Sequence, residues 1–438
     1  METRNFSWPR NVFEVEVMSD ILSTDEIEIT IDTLGHLGDG VAEVDGEQVF
    51  VPLALAGERV KIARDGEGKA KLLKIVEPSS LRVKAPCKHF GQCGGCALQH
   101  LEMSHYNAWK REQVVAALAA RGIETDVKPL IPATPRSRRR ATFAVTRTKK
   151  GATIGYYARA THTIVDIREC PLVVPEIEES IAALASVVSP GLSRKGRASL
   201  LVTATETGLD VSVTGGKEEP DGALRAELAK NAAAADLARL TWDGDILSER
   251  RAPRITLSGL KVTPPPGAFL QASKAGEKAL VSLVLEGVGD AKRVIDLFAG
   301  CGTFAAALAA KSSVLAVESE PKALAAFDRA IREQGPAKGL KPVETLTRDL
   351  FRRPLHMSEL LKTDAVVFDP PRAGASAQVE MLAQSSVPVI IGVSCNPATF
   401  ARDARVLIDG GYELQSVTPV DQFLWSPHIE LVGIFKKQ

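Results

Sequence analysis

Val294-Ile295-Asp296-Leu297-Phe298-Ala299-Gly300-Cys301-Gly302-Thr303 is an apolar strand breaking into a glycine turn, and Phe304-Ala305-Ala306-Ala307-Leu308-Ala309-Ala310 follows it at helical spacing. A strand, turn and helix of this kind opens a Rossmann-like sheet. Glycines there let the backbone approach a ligand at the head of the helix, and an acid ending the next strand takes ribose hydroxyls. Val314-Leu315-Ala316-Val317-Glu318 supplies that strand and that acid. The dinucleotide pattern G-x-G-x-x-G is absent, so a pyrophosphate cradle is not indicated. A single G-x-G preceded by Asp296 suits a nucleoside with an amino-acid tail; a tight connection with no ligand is the lesser, plain alternative for the turn taken alone.

Asp364-Ala365-Val366-Val367-Phe368-Asp369-Pro370-Pro371-Arg372 reads as the fourth strand with a proline-stiffened turn at its carboxyl end, where ligands of open parallel sheets sit. S-adenosylmethionine fits the nucleoside described above. Enzymes that methylate exocyclic amines follow a similar Asp-Pro-Pro with an aromatic residue that stacks the target base. Arg372 stands there instead, which argues against an amine target. Methylation at C5 of a pyrimidine needs a nucleophile at C6 first, and a thiolate serves. The strand Val387–Val393 delivers Cys395, within Ser394-Cys395-Asn396-Pro397, to the same sheet edge as Asp369. Tyr412–Val417 and Ile429–Phe435 read as a closing hairpin. Glu430 interrupts its apolar second strand, and a buried carboxylate is costly unless paired or used. A structural ion pair is the plain reading of Glu430; a base that removes the C5 proton is the functional one.

Phe269-Leu270-Gln271, the Asp296–Thr303 loop, Asp369-Pro370-Pro371-Arg372, Ser394-Cys395-Asn396-Pro397 and Pro427-His428-Ile429-Glu430, in that order, resemble the bacterial RNA uracil-C5 methyltransferase family. Its members methylate uracil in tRNA or in 23S rRNA. The resemblance implies Cys395 as nucleophile, Glu430 as base and Asp369 as a contact to both cofactor and uracil. It places Gln271, Phe298, Thr303, Glu318 and Asp349 on the family's S-adenosylmethionine positions. Thr303 departs from the asparagine that relatives often carry, though a hydroxyl still hydrogen-bonds.

The chain of 438 residues suggests two or three domains, and 45% hydrophobic content suffices for a buried core. No apolar run approaches the roughly 18 residues of a membrane span. The first twenty residues mix Arg4, Arg10, Glu14 and Glu16 without an apolar core, so no signal peptide is expected, and Met18 is a possible second start. The expectation is a cytoplasmic monomer that acts on RNA and not on membranes.

Six cysteines in such a chain do not suggest a disulfide framework. Cys87, Cys93 and Cys96 cluster in one glycine-wrapped loop, and Cys170 stands apart before Pro171. Three thiols in one short segment imply a metal or a cluster, and zinc, the common alternative, usually takes two C-x-x-C pairs. The C-x5-C-x2-C…C spacing resembles the cluster-bearing branch of the same family, which implies a 4Fe-4S cluster on these four thiolates. Cys301 reads as a small packed residue.

From Asp25 to Glu77, short alternating strands between glycine turns read as a small barrel. It resembles the OB-like TRAM domain, an RNA-binding module; a barrel that merely packs on the catalytic domain is the plain alternative. Net charge is zero, with 54 basic and 54 acidic residues, so any attraction to RNA is local. Arg136, Arg138, Arg139, Arg140, Arg147, Lys149 and Lys150 occur without an intervening acid and suggest a basic strand pair that touches phosphates. Helices are expected over Ser104–Ala120, Glu176–Val188 and Gly222–Leu240, with a hairpin over Leu201–Thr214. The expected architecture is therefore a disordered extension (1–22), a TRAM-like OB β-barrel (23–78), a central α+β domain with the cluster (79–262) and an α/β Rossmann-like class I methyltransferase (263–438). The rival readings are RNA cytosine-C5 methylation, whose enzymes use paired cysteines, and a noncatalytic RNA-binding or redox-sensing cluster protein.

Overall fold

The computed structural model describes residues 26–64, 68–149, 151–193, 196–216 and 220–438. The expected 1–22 extension, Met18 and Lys150 lie outside them. The catalytic sheet has seven strands: β1 (Arg293–Leu297), β2 (Ser313–Glu318), β3 (Val343–Thr347), β4 (Ala365–Phe368), β5 (Val389–Ser394), β6 (Tyr412–Val420) and β7 (Glu430–Lys437). Their order is β3-β2-β1-β4-β5-β7-β6. The first five run parallel, while β7 is antiparallel to both neighbours. All four residues of β4 are buried, as expected of a strand covered on both faces. The order reverses at β1, so the switch-point crevice opens at the carboxyl ends of β1 and β4.

Residues 26–77 form two three-stranded sheets around a core that includes Val49, Val51, Val60 and Ile62. The central domain is a seven-stranded sheet, with helices Pro175–Val188 and Gly222–Ala234 contributing to its core. Arg140–Thr148 and Gly151–Tyr157 form the expected strand pair. The helix expected to reach Leu240 stops at Ala234. Asp236 takes a positive φ of 52°, and Arg239–Trp242 becomes a strand parallel to Gly208–Gly215. Arg239 enters that buried strand because Asp210 accepts two bonds from its guanidinium, at 2.8 and 2.7 Å.

The basic run differs from its expectation in one important residue. Arg139 is 3% exposed; its guanidinium bonds the Gln271 carbonyl and pairs with Glu277, so it ties two domains together and is not free for phosphate. Arg136 pairs with Glu178, and Arg140 lies over the Phe269 ring.

Residues 103–131, expected in the central domain, are built into the catalytic one. Helix Met103–Ala119 contributes Val114 and Leu118 to the core that contains Leu407, Val417 and Leu431. Beyond it the chain runs beside β6: Lys128 N donates to Val417 O (2.8 Å) and Ile131 N to Pro419 O (2.9 Å). On the same helix Tyr106, Lys110, Val114 and Leu118 form one buried row. The Lys110 ammonium bonds Asp421 Oδ1 (2.6 Å) and the carbonyls of His428 (2.7 Å) and Phe423 (3.1 Å), and the Tyr106 hydroxyl donates to Asp421 Oδ2 (2.9 Å). Both charged side chains are 0% exposed. Among the described residues no helix is long and apolar enough to cross a membrane.

Removing one partner of such a pair leaves an uncompensated buried charge. Lys110→Ala should lower unfolding stability by about 3–5 kcal/mol in urea titrations. A loss below about 1 kcal/mol, typical of exposed pairs, would show that the pair does not hold the loop.

Candidate active site and thiol cavity

Three strand ends bring the reactive side chains together. In the ladder between β5 and β7, Ser394 pairs with Leu431, so Cys395 and Glu430 are the next residues outward on adjacent strands. Asp369 follows β4, which neighbours β5 on its other side. The Ser-Cys-Asn-Pro turn is locked by its own polar atoms. Asn396 N donates to Ser394 Oγ (3.2 Å), and Asn396 Oδ1 caps helix Pro397–Asp409 by accepting from Ala398 N (3.0 Å). Asn396 Nδ2 and Thr399 Oγ1 each reach the Arg372 carbonyl at 3.3 Å, joining the cysteine turn to the Asp-Pro-Pro-Arg turn. Pro397 at the first helical position has no N–H to satisfy.

Glu430 is 4% exposed, and while its backbone pairs with Val420 in the β6–β7 ladder, its carboxylate has no hydrogen bond or ion pair to any other described residue. The structural ion pair held open for it is therefore not formed. Burial, and then the Asp369 carboxylate, push Glu430 well above the usual range. Asp369 is partly exposed, but enclosure by the surrounding chain raises it too, against the Gln271 amide that donates to its Oδ2 at 3.1 Å. Gln422 Nε2 in turn donates to Gln271 Oε1 at 2.8 Å, which sets the orientation of that amide. Burial pushes the Cys395 thiol up to about 11, Glu430 and Asp369 push the same way, and Arg372 opposes them. His428 is held below its ordinary value by burial and by Arg372, whose guanidinium lies 2.9 Å from Nδ1, so the imidazole is neutral at neutral pH.

At the glycine turn, Asp296 is wholly buried. Its Oδ2 accepts from Ala305 N (2.8 Å) and its Oδ1 has no partner, leaving a buried unmet acceptor. Phe298 adopts φ 62°, a conformation rare outside glycine and concentrated at functional sites. Gly302, φ 89°, is required: a Cβ would lie 2.2 Å from the Phe327 ring. Above Gly300 there is open space, with nothing within 4 Å of a Cβ. Glu318 ends β2 and accepts from the amides of Gly300 (2.9 Å), Ser319 (2.6 Å) and Glu320 (2.8 Å). The rings of Phe298 and Phe351 stand 5.7 Å apart, and Asp349 accepts from Phe351 N (3.0 Å). Thr303 opens the short helix Thr303–Leu308, and burial pushes the Cys301 thiol up to about 12, as suits a packed residue.

Cys87, Cys93, Cys96 and Cys170 are free thiols that line one cavity with Phe90 and Tyr156. Among the described residues no three His, Cys, Asp or Glu side chains are gathered so as to hold a metal ion. The loop then joins the active site, because Ala97 N and Leu98 N both donate to the Trp425 carbonyl (2.8 and 3.1 Å).

Sequence reasoning missed Lys110, Tyr106, Asp421 and Gln422. For Lys110 a signal existed: a lysine inside an otherwise apolar row spaced by four. For Gln422 there was none, since its partner Gln271 is 151 positions away.

The family model described as tRNA (Uracil-5-)-methyltransferase matches residues 340–438, the segment that carries Asp369, Cys395 and Glu430. An uncharacterized RNA methyltransferase of Brucella suis is 47% identical over 94% of this chain and 98% of its own length. One from Caulobacter vibrioides is 46% identical over 94% of this chain and 100% of its own. Among solved structures, the Pyrococcus abyssi tRNA (uracil-54, C5)-methyltransferase in complex with S-adenosyl-L-homocysteine is similar with a TM-score of 0.72 and 25% identity, covering 93% of this chain and 100% of that one. The catalytic sheet order, the cysteine and carboxylate at its open edge and these full-length likenesses lead to one conclusion: the chain belongs to the RNA uracil-C5 methyltransferase family, whose members are RNA-modifying transferases.

Proposed function

We propose that this protein methylates C5 of a uracil in RNA, with 23S rRNA the favoured substrate ahead of tRNA, and that S-adenosylmethionine is the donor. The observation that carries the reading is a cysteine beside a buried, unpaired carboxylate at the open end of a methyltransferase sheet. The cofactor groove fits the donor: Asp296 offers an unmet acceptor for an ammonium, Glu318 an acid at the end of β2 for ribose hydroxyls, and Gly300 clear backbone. Gln271, Phe298, Thr303, Asp349 and Asp369 complete that set. When bound, S-adenosylmethionine supplies an electrophilic methyl group.

The chain's own residues do the rest. The target base leaves its stack to reach Cys395. The thiol first gives up its proton to Asp369, the other carboxylate acting on it, which leaves Glu430 unprotonated for the later step. Sulfur then forms a bond to C6, the C5=C6 electron pair becomes available at C5, and C5 takes the methyl group. Glu430 removes the C5 proton, the pair left behind re-forms C5=C6, and the thiolate departs with the electrons of the C6–S bond. A cytosine reading is disfavoured because the usual second cysteine is missing: Arg372, not cysteine, follows the Asp-Pro-Pro turn.

The four-thiol cavity fits a 4Fe-4S cluster in donor chemistry, since such clusters are held by cysteine thiolates. Bound there, it would tie the loop carrying Cys87, Cys93 and Cys96 to Cys170. The N-terminal barrel is read as a TRAM-like RNA-binding module.

Cys395→Ala should abolish methyl transfer to RNA from a deletion strain while S-adenosylmethionine binding persists in calorimetry. Glu430→Gln should instead stall after methylation, leaving a methylated protein–RNA adduct on denaturing gels, because glutamine cannot accept the proton. Normal release of methylated RNA by that variant would make Glu430 structural.

Alkylation of Cys395 by iodoacetamide should rise with pH toward about 11 in the free protein. A negative neighbour disfavours the thiolate, so Glu430→Gln should move the profile to lower pH. An unmoved profile would separate the two groups electrostatically.

Protein purified without air should be brown and contain about four irons per chain. Stoichiometric zinc without iron would exclude the cluster.

A further inference from the structure

Two cavities meet at the rim of the active site. One, of ≈ 340 Å³, holds Cys395, Arg372 and His428 and is walled on another side by His36 and Leu37 of the N-terminal barrel. The other, of ≈ 430 Å³, holds Tyr157 and Arg159 and shares Leu37, Pro427 and His428 with the first. Leu37 therefore stands between a reactive cavity and an unassigned one. A single exposed leucine is ordinary on a protein surface. This one is 56% exposed and rigidly mounted. Its turn is closed by Gly35 N to Asp39 O (2.8 Å) and Gly38 N to Gly35 O (2.9 Å). Arg159 clamps the turn by reaching Asp39 Oδ1 and the Cys96 carbonyl, each at 3.3 Å. Gly38, φ +81°, passes so close to Leu98 that a Cβ would lie 3.0 Å from that side chain. On the far side, Tyr157 leaves 41% of its surface open.

We propose that the second cavity binds the RNA nucleotide adjacent to the target uracil, and that Leu37 is the wedge between the two. The proposal rests on the uracil reading above. A base that leaves its stack opens a gap, and proteins that unstack bases fill such gaps with apolar side chains. An exposed aromatic face accepts any base by stacking, so Tyr157 would hold the neighbour without reading its sequence. The barrel then takes part in base extraction as well as in holding RNA.

The test uses RNA from a deletion strain grown with 5-fluorouracil. When Cys395 adds to C6 and C5 accepts the methyl group from added S-adenosylmethionine, fluorine at C5 cannot leave as the proton does. The adduct therefore persists and reports base entry. Intact RNA is compared with the same RNA hydrolysed to unstructured fragments. Leu37→Ala should trap intact RNA at least about tenfold more slowly than the unaltered protein, yet trap fragments at nearly the same rate, because only stacked RNA needs a wedge. Leu37→Met should restore trapping of intact RNA. Tyr157→Ala should slow trapping of both RNAs, since the stacked neighbour is lost in each. Equal trapping of intact RNA by Leu37→Ala, or equal slowing on both RNAs, overturns the wedge, and an unaffected Tyr157→Ala overturns the neighbouring site. If the unaltered protein traps neither RNA, the uracil reading itself fails and takes this proposal with it.

Discussion

The active site depends on the buried pair between Lys110 and Asp421. The loop from Val420 to Glu430 carries the proposed base, but its backbone carbonyls at Phe423 and His428 point inward, away from any strand partner. One ammonium satisfies both carbonyls and the Asp421 carboxylate. Burial lowers Lys110 to about 8, and Asp421 works against that shift. An ion pair in this position gains little over a well-packed apolar substitute, so its value lies in specifying one loop conformation. Tyr106 reinforces it from the same helix face, giving its proton to Asp421 and accepting from Trp425 N at 2.8 Å.

A second constraint is electrostatic. Asp296, Asp369 and Glu430 are each raised chiefly by burial. Asp296 also feels Asp369 and Glu318, and Glu430 feels Asp369. None of them forms an ion pair among the described residues. Such a group favours a cationic guest and disfavours a thiolate, so Glu430 and Asp369 add to the burial that chiefly keeps the Cys395 thiol protonated in the free protein. In the proposed reaction the donor arrives with a positive sulfur and leaves with a neutral one, so the carboxylates favour entry over retention of the product.

Much of this was legible because the informative signals were local. The glycine turn, the Asp-Pro-Pro-Arg turn and the cysteine turn each declare a strand end, and an α/β sheet brings its strand ends to one edge. Cys395 and Glu430 became neighbours through a single register, Ser394 against Leu431. What escaped was long-range. Arg139 looked like part of a solvated basic run, yet its partners Gln271 and Glu277 lie 132 and 138 positions away. Helix Met103–Ala119 is legible as a helix whichever domain it joins, and only its tertiary partners assign it. Leu237 to Leu240 continue an apolar pattern compatible with either helix or buried strand; the pairing of Arg239 with Asp210 decides for strand.

The route of residues 103–131 through the catalytic domain bears on the order in which the protein can assemble. Tyr106 and Asp421 are 315 positions apart, and the strand-like segment at Val127 waits for β6. During synthesis at roughly 5–20 residues per second, helix Met103–Ala119 leaves the ribosome about 15–60 seconds before its partners exist. For that interval its row of Tyr106, Val114 and Leu118 has nothing to cover it, and closing so long a loop is slow. The N-terminal sheets and the central sheet can mature domain by domain, whereas the active site forms last, when nearly the whole chain has been made. A prematurely truncated chain therefore contains the cysteines of the cavity loop but no working catalytic centre.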